Sequence, residues 1–576
     1  MRSPRSGAAG WRAKVSVTAT ALAFLVTVAL GGAGEAASGR PENKGRPENK
    51  GRPPGQLVDV QLLALNDFHG NLEPPGGPIA GTPAGGAEYL ASHVRQLEAT
   101  NRNTMVVSAG DLIGASPLLS ALFHDEPTIE AMNRIGLDLN AVGNHEFDEG
   151  AAELLRMQQG GCHPVDGCLD GDGFAGADFQ FLAANVVRSD TGQTLLPPYQ
   201  IRKFQGAKVA FIGMTLEGTP SIVTPSGVAG LEFRDEAETV NALVPELQRR
   251  GVESIVVLLH EGGLQAGGID QCNGISGPVV DIVERMSDAV DVVVSGHTHQ
   301  AYNCQIDGKL VTSASSFGRV LTDIDLTIDK RSGDVVVARA DNLVVTRDVP
   351  KATDVTELLD KYRRLAEPLA NRVIGSVTAD VTRAANAAGE SALGDVIADA
   401  QLAATDGPGE GGAAVAFMNP GGIRADLSHA PSGGERPGEV TYGEAFTVQP
   451  FGNTLVTMTL TGAQLDTLLE QQWCGQSFPR VLQVSAGFTY TWDANRPACD
   501  RVDPSTIKVN GVAVDPNGRY RITVNSFLAD GGDNFRVLTQ GTDRLGGPLD
   551  LDALEAYFQA TSPVAPGPRN RIARVG

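Results

Sequence analysis

Five apolar runs in this chain each stop at residues of the kind that bind metals, and that recurrence restricts the fold more than any other feature. Val58–Leu65 runs into Asn66-Asp67-Phe68-His69-Gly70, and Thr104–Ser108 into Ala109-Gly110-Asp111. Gly136–Val142 runs into Gly143-Asn144-His145-Glu146-Phe147-Asp148, Ser254–Leu259 into His260-Glu261-Gly262, and Asp291–Ser295 into Gly296-His297-Thr298-His299. Short apolar runs of this length predict buried strands, and open α/β sheets keep their sites at the carboxyl ends of such strands. One Asp-x-His arises easily by chance; five successive strand ends carrying Asp, His or Asn do not.

The spacing within each stretch gives the chemistry. Asp67 and His69, two apart, point the same way from an extended chain. His145 and Asp148, three apart, can meet across one turn, which suits an oriented imidazole. Taken alone, the hexapeptide Gly143–Asp148 also reads as a helix start, with Asn144 as N-cap and Glu146 and Asp148 favouring the helix dipole. Oxygen and imidazole donors without thiolate suit zinc, manganese, iron or cobalt.

With these residues in place, the chain resembles the calcineurin-like metallophosphoesterases, and more closely the secreted 5′-nucleotidase/UDP-sugar hydrolase family. The resemblance implies an α/β fold: an N-terminal four-layer αββα metallophosphoesterase sandwich over residues 58–345 and a C-terminal α+β substrate-binding domain over 373–576. It implies two divalent metal ions, zinc or manganese being favoured. Asp67, His69 and His299 would hold one ion, Asn144, His260 and His297 the other, and Asp111 would bridge them. His145, held by Asp148, would face the phosphate without binding metal. Two ions about 3.5–4 Å apart polarise phosphoryl oxygens and acidify the attacking water towards a pKa of about 7, so hydrolysis needs no covalent intermediate.

The second half carries no clustered metal ligands. Its notable loops are Glu390–Asp395, Asn419–Arg424, Gln449–Asn453 and Asn525–Phe535, each setting Gly beside an aromatic or charged residue. By the same resemblance, Phe451 and Phe527 sandwich a nucleobase, Asp533 binds ribose hydroxyls, and Asn419 and Arg424 contact sugar or phosphate. Read singly, the two Phe residues are better explained as loop anchors or core than as a base clamp. Family members often place Arg just before the segment at Glu390; here only Arg383 is available, and the nearer positions read Ala384-Ala-Asn-Ala-Ala-Gly389. A missing guanidinium weakens the grip on a second phosphate or a sugar-linked diphosphate.

The expected function is therefore removal of phosphate from nucleoside 5′-monophosphates, with nucleoside di- or triphosphates or UDP-sugars as further substrates. The alternatives are a 2′,3′-cyclic nucleotide phosphodiesterase/3′-nucleotidase, which would share the metal chemistry, and a nucleotide-binding surface module without catalysis. The full ligand set argues against the latter.

Length and charge agree with this picture. A chain of 576 residues exceeds one ordinary core, which stops growing at about 250–300 residues. The amphipathic stretch Asp354–Pro368, with Val355, Leu358, Leu359, Tyr362 and Leu365 on one face and Thr353 or Asp354 as cap, is expected to connect the domains within residues 346–372. With 46 basic and 68 acidic residues the net charge is 46 − 68 = −22, which argues against a nucleic-acid polymer or an anionic membrane as partner.

Arg2, Arg5, Arg12 and Lys14 precede the apolar run Val15–Leu30 and a small-residue stretch, so residues 1–37 read as a secretory signal peptide. The twofold Gly-Arg-Pro-Glu-Asn-Lys repeat within 38–57 reads as an extended tether. A secreted, extracellular protein, with cell-surface association left open, is expected. The six cysteines allow 15 pairings; proximity favours Cys162 with Cys168, Cys272 with Cys304 and Cys474 with Cys499.

Overall fold

The computed structural model describes residues 56–576; the expected signal peptide, and the tether up to residue 55, lie outside the described residues. The first domain is built from twelve principal strands: β1 (Leu57–Leu65), β2 (Thr104–Ser108), β3 (Leu139–Ala141), β4 (Gln180–Leu182), β5 (Tyr199–Phe204), β6 (Ala207–Met214), β7 (Ser254–Leu259), β8 (Val292–Ser295), β9 (Ala301–Ile306), β10 (Lys309–Ala314), β11 (Val320–Asp329) and β12 (Val335–Val344). They form two six-stranded sheets, ordered β12-β11-β1-β2-β3-β4 and β9-β10-β8-β7-β6-β5.

Side-chain alternation explains why the two sheets stack. In β1, Val58, Val60, Leu62 and Ala64 enter one apolar core together with Val256 and Leu258 of β7, while Leu63 and Leu65 enter another. The second face of β7, Ile255, Val257 and Leu259, enters a third core. Each strand is thus apolar on both faces because one face meets the opposing sheet and the other meets helices. Helices α1 (Ala87–Glu98), α2 (Leu118–Ala121), α3 (Glu126–Ile135) and α4 (Ala151–Gln159) belong to the layer outside the first sheet, and α5 (Glu236–Arg249) and α6 (Pro278–Arg285) to the layer outside the second. The architecture is the expected four-layer αββα sandwich.

Strands β1, β2 and β3 run parallel, as do β7 and β8, so their carboxyl ends collect at one rim. Leu65 pairs with Ser108 and Ser295 with Leu259, which places the five ligand-bearing loops at similar heights. The sequence motif therefore becomes a spatial cluster through strand direction alone.

Helix α7 (Thr353–Ala370) follows, and it packs into the first domain. Val355, Leu358, Leu359, Tyr362 and Ala366 join the core beneath α1 and α3. Leu365, expected on the apolar face, is exposed instead. After Tyr362 the 3.6-residue period selects Ala366, one position further on. The residue preceding the helix is Ala352, without a side-chain cap; Asp354 lies inside the first turn and pairs with Arg95 at 2.7 Å.

The second domain is mixed α+β. A five-stranded sheet runs in the order Gln483–Val484, Val415–Met418, Arg519–Asn525, Thr454–Thr461, Thr542–Leu549, with a separate four-stranded sheet around Phe488–Asp493. Two apolar cores support it, one of them including residues from helix α8 (Ala392–Ala403). Disulfides join Cys162 to Cys168, Cys272 to Cys304 and Cys474 to Cys499. No described helix is long and apolar enough to cross a membrane.

Because Leu359 is fully buried where α7 meets the first domain's core, Leu359→Ala should destabilise that domain by about 2–5 kcal/mol. Denaturant unfolding monitored by intrinsic fluorescence checks this, and a loss under about 1 kcal/mol would show that α7 contributes little to the core it packs against.

Candidate metal and substrate site

The loops after β1 and β2 are zipped together by backbone hydrogen bonds: Asp67 N–H to Gly110 O, His69 N–H to Asp111 O and Gly70 N–H to Leu112 O, each 3.0 Å. This zipper holds side chains in unusual backbone states. Asp67, His69, Asp111, His297 and His299 all have positive φ, between 46° and 67°. A non-glycine residue in that region costs of order 1–3 kcal/mol and persists only where its surroundings enforce it.

The enforced result is a buried cluster. Asp67 Oδ1 lies 3.3 Å from His299 Nε2 and 3.8 Å from His69 Nε2, while Asp111 Oδ2 lies 3.7 Å from His69 Nε2 and 3.0 Å from His260 Nε2. Asn144 Oδ1 is 3.2 Å from His260 Nε2. Two groups, Asp67/His69/His299 and Asp111/His260/His297, each bring their donor atoms within 4.8 Å of one another. The seven metal-type residues singled out in the sequence are thus drawn into one place.

Hydrogen bonds fix which ring atoms face inward. His69 Nδ1 donates to Gly114 O at 2.9 Å and His260 Nδ1 to Ala109 O at 2.7 Å, so each Nε2 is turned to the centre, where the neutral ring offers its lone pair. His69 Nε2 then faces His299 Nε2 at 3.2 Å, and His260 Nε2 faces the Asn144 carbonyl and the Asp111 carboxylate. Acceptor atoms crowded together in this way need protons or cations among them. Burial holds His69 well below its ordinary pKa and His297 down to about 3, against the pull of Asp111, so both rings stay neutral and able to ligate. Burial opposes charge on His260 too, but Asp111 outweighs it and lifts that ring to about 10, a measure of the negative field a cation would meet.

His145 stands at the edge of the cluster. Its Nδ1 is 2.8 Å from Asp148 Oδ2 and its backbone N–H donates to Asp111 Oδ1 at 2.9 Å. Burial opposes its charge, but Asp148 and Asp111 raise its pKa above the ordinary value. Asn144 makes no side-chain cap to the short turn His145–Phe147, so the helix-start reading of this hexapeptide does not hold: the Asn side chain faces His260 instead.

Across from His145 lies the second domain. The ring of Phe451 stacks on that of His145, with centroids 5.9 Å apart and planes 18° apart, and the Arg424 guanidinium lies 5.8 Å from the Phe451 centroid. The two domains enclose a cleft of about 1170 Å³ lined by Asn144, His145, Asp148 and His297 from one side and Asn419, Arg424, Phe451, Phe527 and Asp533 from the other. Asp533 Oδ2 accepts from Asn419 Nδ2 at 2.9 Å, and Gly532 lies so close to Phe527 that a Cβ there would fall 2.5 Å from the ring. Arg383 sits elsewhere. It stands behind the Asn419–Arg424 turn, half exposed, donating to the carbonyls of Ile423 (3.3 Å) and Arg424 (2.6 Å), outside the residues that line the cleft.

Comparison with known proteins accords with this geometry. The calcineurin-like phosphoesterase family model matches residues 60–301, and the model of the 5′-nucleotidase C-terminal domain matches residues 373–540. The solved structure of a 5′-nucleotidase precursor from Thermus thermophilus superposes with a TM-score of 0.74 at 29% identity, over 90% of this chain and 100% of that one. The chain belongs to the 5′-nucleotidase family of metallophosphoesterases.

Among curated relatives, the endonuclease YhcR of Bacillus subtilis is 34% identical over 90% of this chain and 41% of its own length. The cell wall protein Lmo0130 of Listeria monocytogenes is 32% identical over 83% of this chain and 64% of its own length. The chain thus spans less than two thirds of either relative. The family is one of hydrolases, and calcineurin-like phosphoesterases use divalent metals. The inward lone pairs of His69, His260 and Asn144 beside two carboxylates fit such ions.

Sequence reasoning missed three parts of the site in this 5′-nucleotidase family chain. Glu146, read there as a helix-dipole residue, buries its carboxylate to accept the backbone N–H groups of Asp111 (3.0 Å), Leu112 (2.8 Å) and Gly143 (2.6 Å), tying two ligand loops together. Phe317 packs edge-on against His69 and His299. Arg480, in a cysteine-bounded loop, lies 3.2 Å from Asp533. The one sequence signal for Arg480 was a Phe-Pro-Arg run beside Cys474; for Glu146, whose partners are backbone atoms, there was none.

Replacing the Glu146 carboxylate by a neutral amide should loosen both loops. Glu146→Gln should weaken divalent-ion affinity by about 10–100-fold, measured by competition with a chromophoric chelator. Unchanged affinity would mean the clamp does not set the ligand geometry.

Proposed function

We propose that this protein removes phosphate from nucleoside 5′-monophosphates outside the cytoplasm. The observation that carries this reading is the stacking of Phe451 on His145, which puts a nucleobase-type surface of one domain against the phosphate-type site of the other. In this reading Asp67, His69 and His299 would hold one ion and Asn144, His260 and His297 the second, with Asp111 shared between them. When bound, the pair supplies Lewis-acid polarisation of the phosphoryl oxygens and acidifies the attacking water.

The chain's own residues do the rest. Asp148 keeps the His145 ring oriented and charged, so its N–H meets the charge that develops on the phosphoryl oxygens. Arg424, which lines the same cleft as His145 and Asp148, offers a planar donor set for the same phosphate. Phe451 and Phe527 hold the base by stacking, and Asp533, kept in place by Asn419 and Arg480, takes the ribose hydroxyls. Arg383 acts through the Asn419–Arg424 turn, whose carbonyls it holds. Export is supported by the charged-then-apolar amino end and by three disulfides in the described residues.

Phosphate release should be measured across AMP, 3′-AMP, cyclic 2′,3′-AMP, ATP and UDP-glucose, with and without chelator. AMP should be cleaved and chelator should abolish the activity; cleavage of 3′-AMP and the cyclic substrate without AMP would overturn the proposal. His145→Ala should lower kcat by about 10²–10³-fold while metal content stays unchanged, and parallel loss of both would remove His145 from its assigned role. Phe451→Ala or Phe527→Ala should raise KM by about 5–150-fold, the equivalent of about 1–3 kcal/mol of stacking.

A further inference from the structure

The loop after the helix Gly462–Glu470 carries Arg480 to the cleft. It passes Cys474, which is bonded to Cys499, and its residues Gly475, Ser477, Phe478, Pro479 and Arg480 line the cleft wall beside Asp533. Arg480 is held from four sides. Its backbone N–H donates to Gln472 O at 2.9 Å, its Nη1 donates to Gln476 Oε1 at 2.6 Å, its guanidinium lies 4.4 Å from the centroid of the Phe478 ring, and its Nε lies 3.2 Å from Asp533 Oδ1. A planar fork fixed in this way loses little further freedom when it orients a carboxylate.

We infer that Arg480 is a positioning residue that makes the cleft select ribonucleosides over nucleosides without sugar hydroxyls, by aiming the Asp533 carboxylate at a 2′,3′-diol, a role that rests on the ribose contact proposed above for Asp533. The backbone of Asp533 is in the left-handed region at φ 54°, a state that persists only where its surroundings enforce it. Three side chains do so. Gln476 Nε2 donates to Asp533 O at 2.7 Å, Asn419 Nδ2 donates to Oδ2 at 2.9 Å, and Arg480 Nε faces Oδ1. Because Arg480 also holds Gln476, it acts on the backbone and on the carboxylate of Asp533 at once.

The stoichiometry of donors and acceptors fits a diol. An ionised carboxylate has about four acceptor sites. With one turned to Arg480 and one to Asn419, a site remains on each oxygen, and the two hydroxyls of a ribose supply two donors. Charge matters as well as aim. Burial pushes the Asp533 carboxyl above the usual carboxylate range, and Arg480, with Asn419 adding to it, pulls it back. A neutral side chain at position 480 would leave the carboxyl easier to protonate, which puts a donor where the sugar needs an acceptor. The stacking surfaces of Phe451 and Phe527 read no sugar hydroxyl, so this discrimination falls to Asp533 and the residues that hold it.

The test is binding of adenosine and of 2′,3′-dideoxyadenosine to the full chain, measured by titration calorimetry in the wild type, Arg480→Met and Arg480→Lys. The wild type should bind adenosine at least about 10-fold more tightly than the dideoxy compound, the equivalent of one hydrogen bond to a charged group. Arg480→Met should lose most of that preference by weakening adenosine alone, and Arg480→Lys, which restores the charge without the fork, should recover part of it. No preference in the wild type, an undiminished preference in Arg480→Met, or equal weakening of both nucleosides, the mark of a merely structural support, would overturn the inference. AMP hydrolysis is scored separately: a preference lost in Arg480→Met in a protein that cleaves no AMP would remove the 5′-monophosphate reading and leave Arg480 in this role, while AMP cleavage with an undiminished preference would do the reverse.

Discussion

Asp111 is where the two halves of the catalytic cluster meet. Its Oδ2 is within 3.0 Å of His260 and 3.7 Å of His69, which belong to different ligand groups, and its Oδ1 accepts the backbone N–H of His145. A buried carboxylate surrounded this way could not be kept by a folded chain without compensation, because desolvation of the charge is worth several kcal/mol. Part of that compensation is structural. Glu146 fixes the backbone on both sides of Asp111, and Gly143 comes so close that a Cβ there would fall 2.2 Å from Asp111 Oδ1. The remainder comes from the imidazoles around it, His260 above all, and bound cations would add to it.

The legible part of this site was the part carried by strand direction. Each ligand-bearing loop follows an apolar run, and parallel strands bring such ends together whatever connects them. Asp67, His69, Asp111, Asn144, His260, His297 and His299 therefore converge as the sequence suggested. The illegible part was carried by partners with no fixed offset in the chain. Glu146 serves backbone amides, and Arg480 meets Asp533 across 53 positions, a distance at which only the folded sheet order creates contact. Leu365 shows the same limit on a smaller scale: the helical period was read correctly, but the core selected Ala366 one position later.

Arg383 and Arg480 bear together on what the second domain can grip. The sequence drew attention to the absence of arginine just before Glu390, and the structure turns Arg383 toward the carbonyls of Ile423 and Arg424. That guanidinium is committed to shaping a turn. In the cleft lining itself Arg480 pairs with Asp533, lies 4.4 Å from the centroid of the Phe478 ring and donates to Gln476 Oε1 at 2.6 Å. Its fork is also largely occupied by protein partners. Arg424 is then the arginine of this trio left to line the cleft shared with His145 and Asp148, and one guanidinium offers bidentate recognition to one phosphate. Under the proposed function, charge within the cleft would match a monophosphate better than a diphosphate, while the aromatic surfaces that would hold the base carry no base-edge discrimination of their own. On that reading, selectivity would come from the number of phosphates accommodated before it came from the identity of the base.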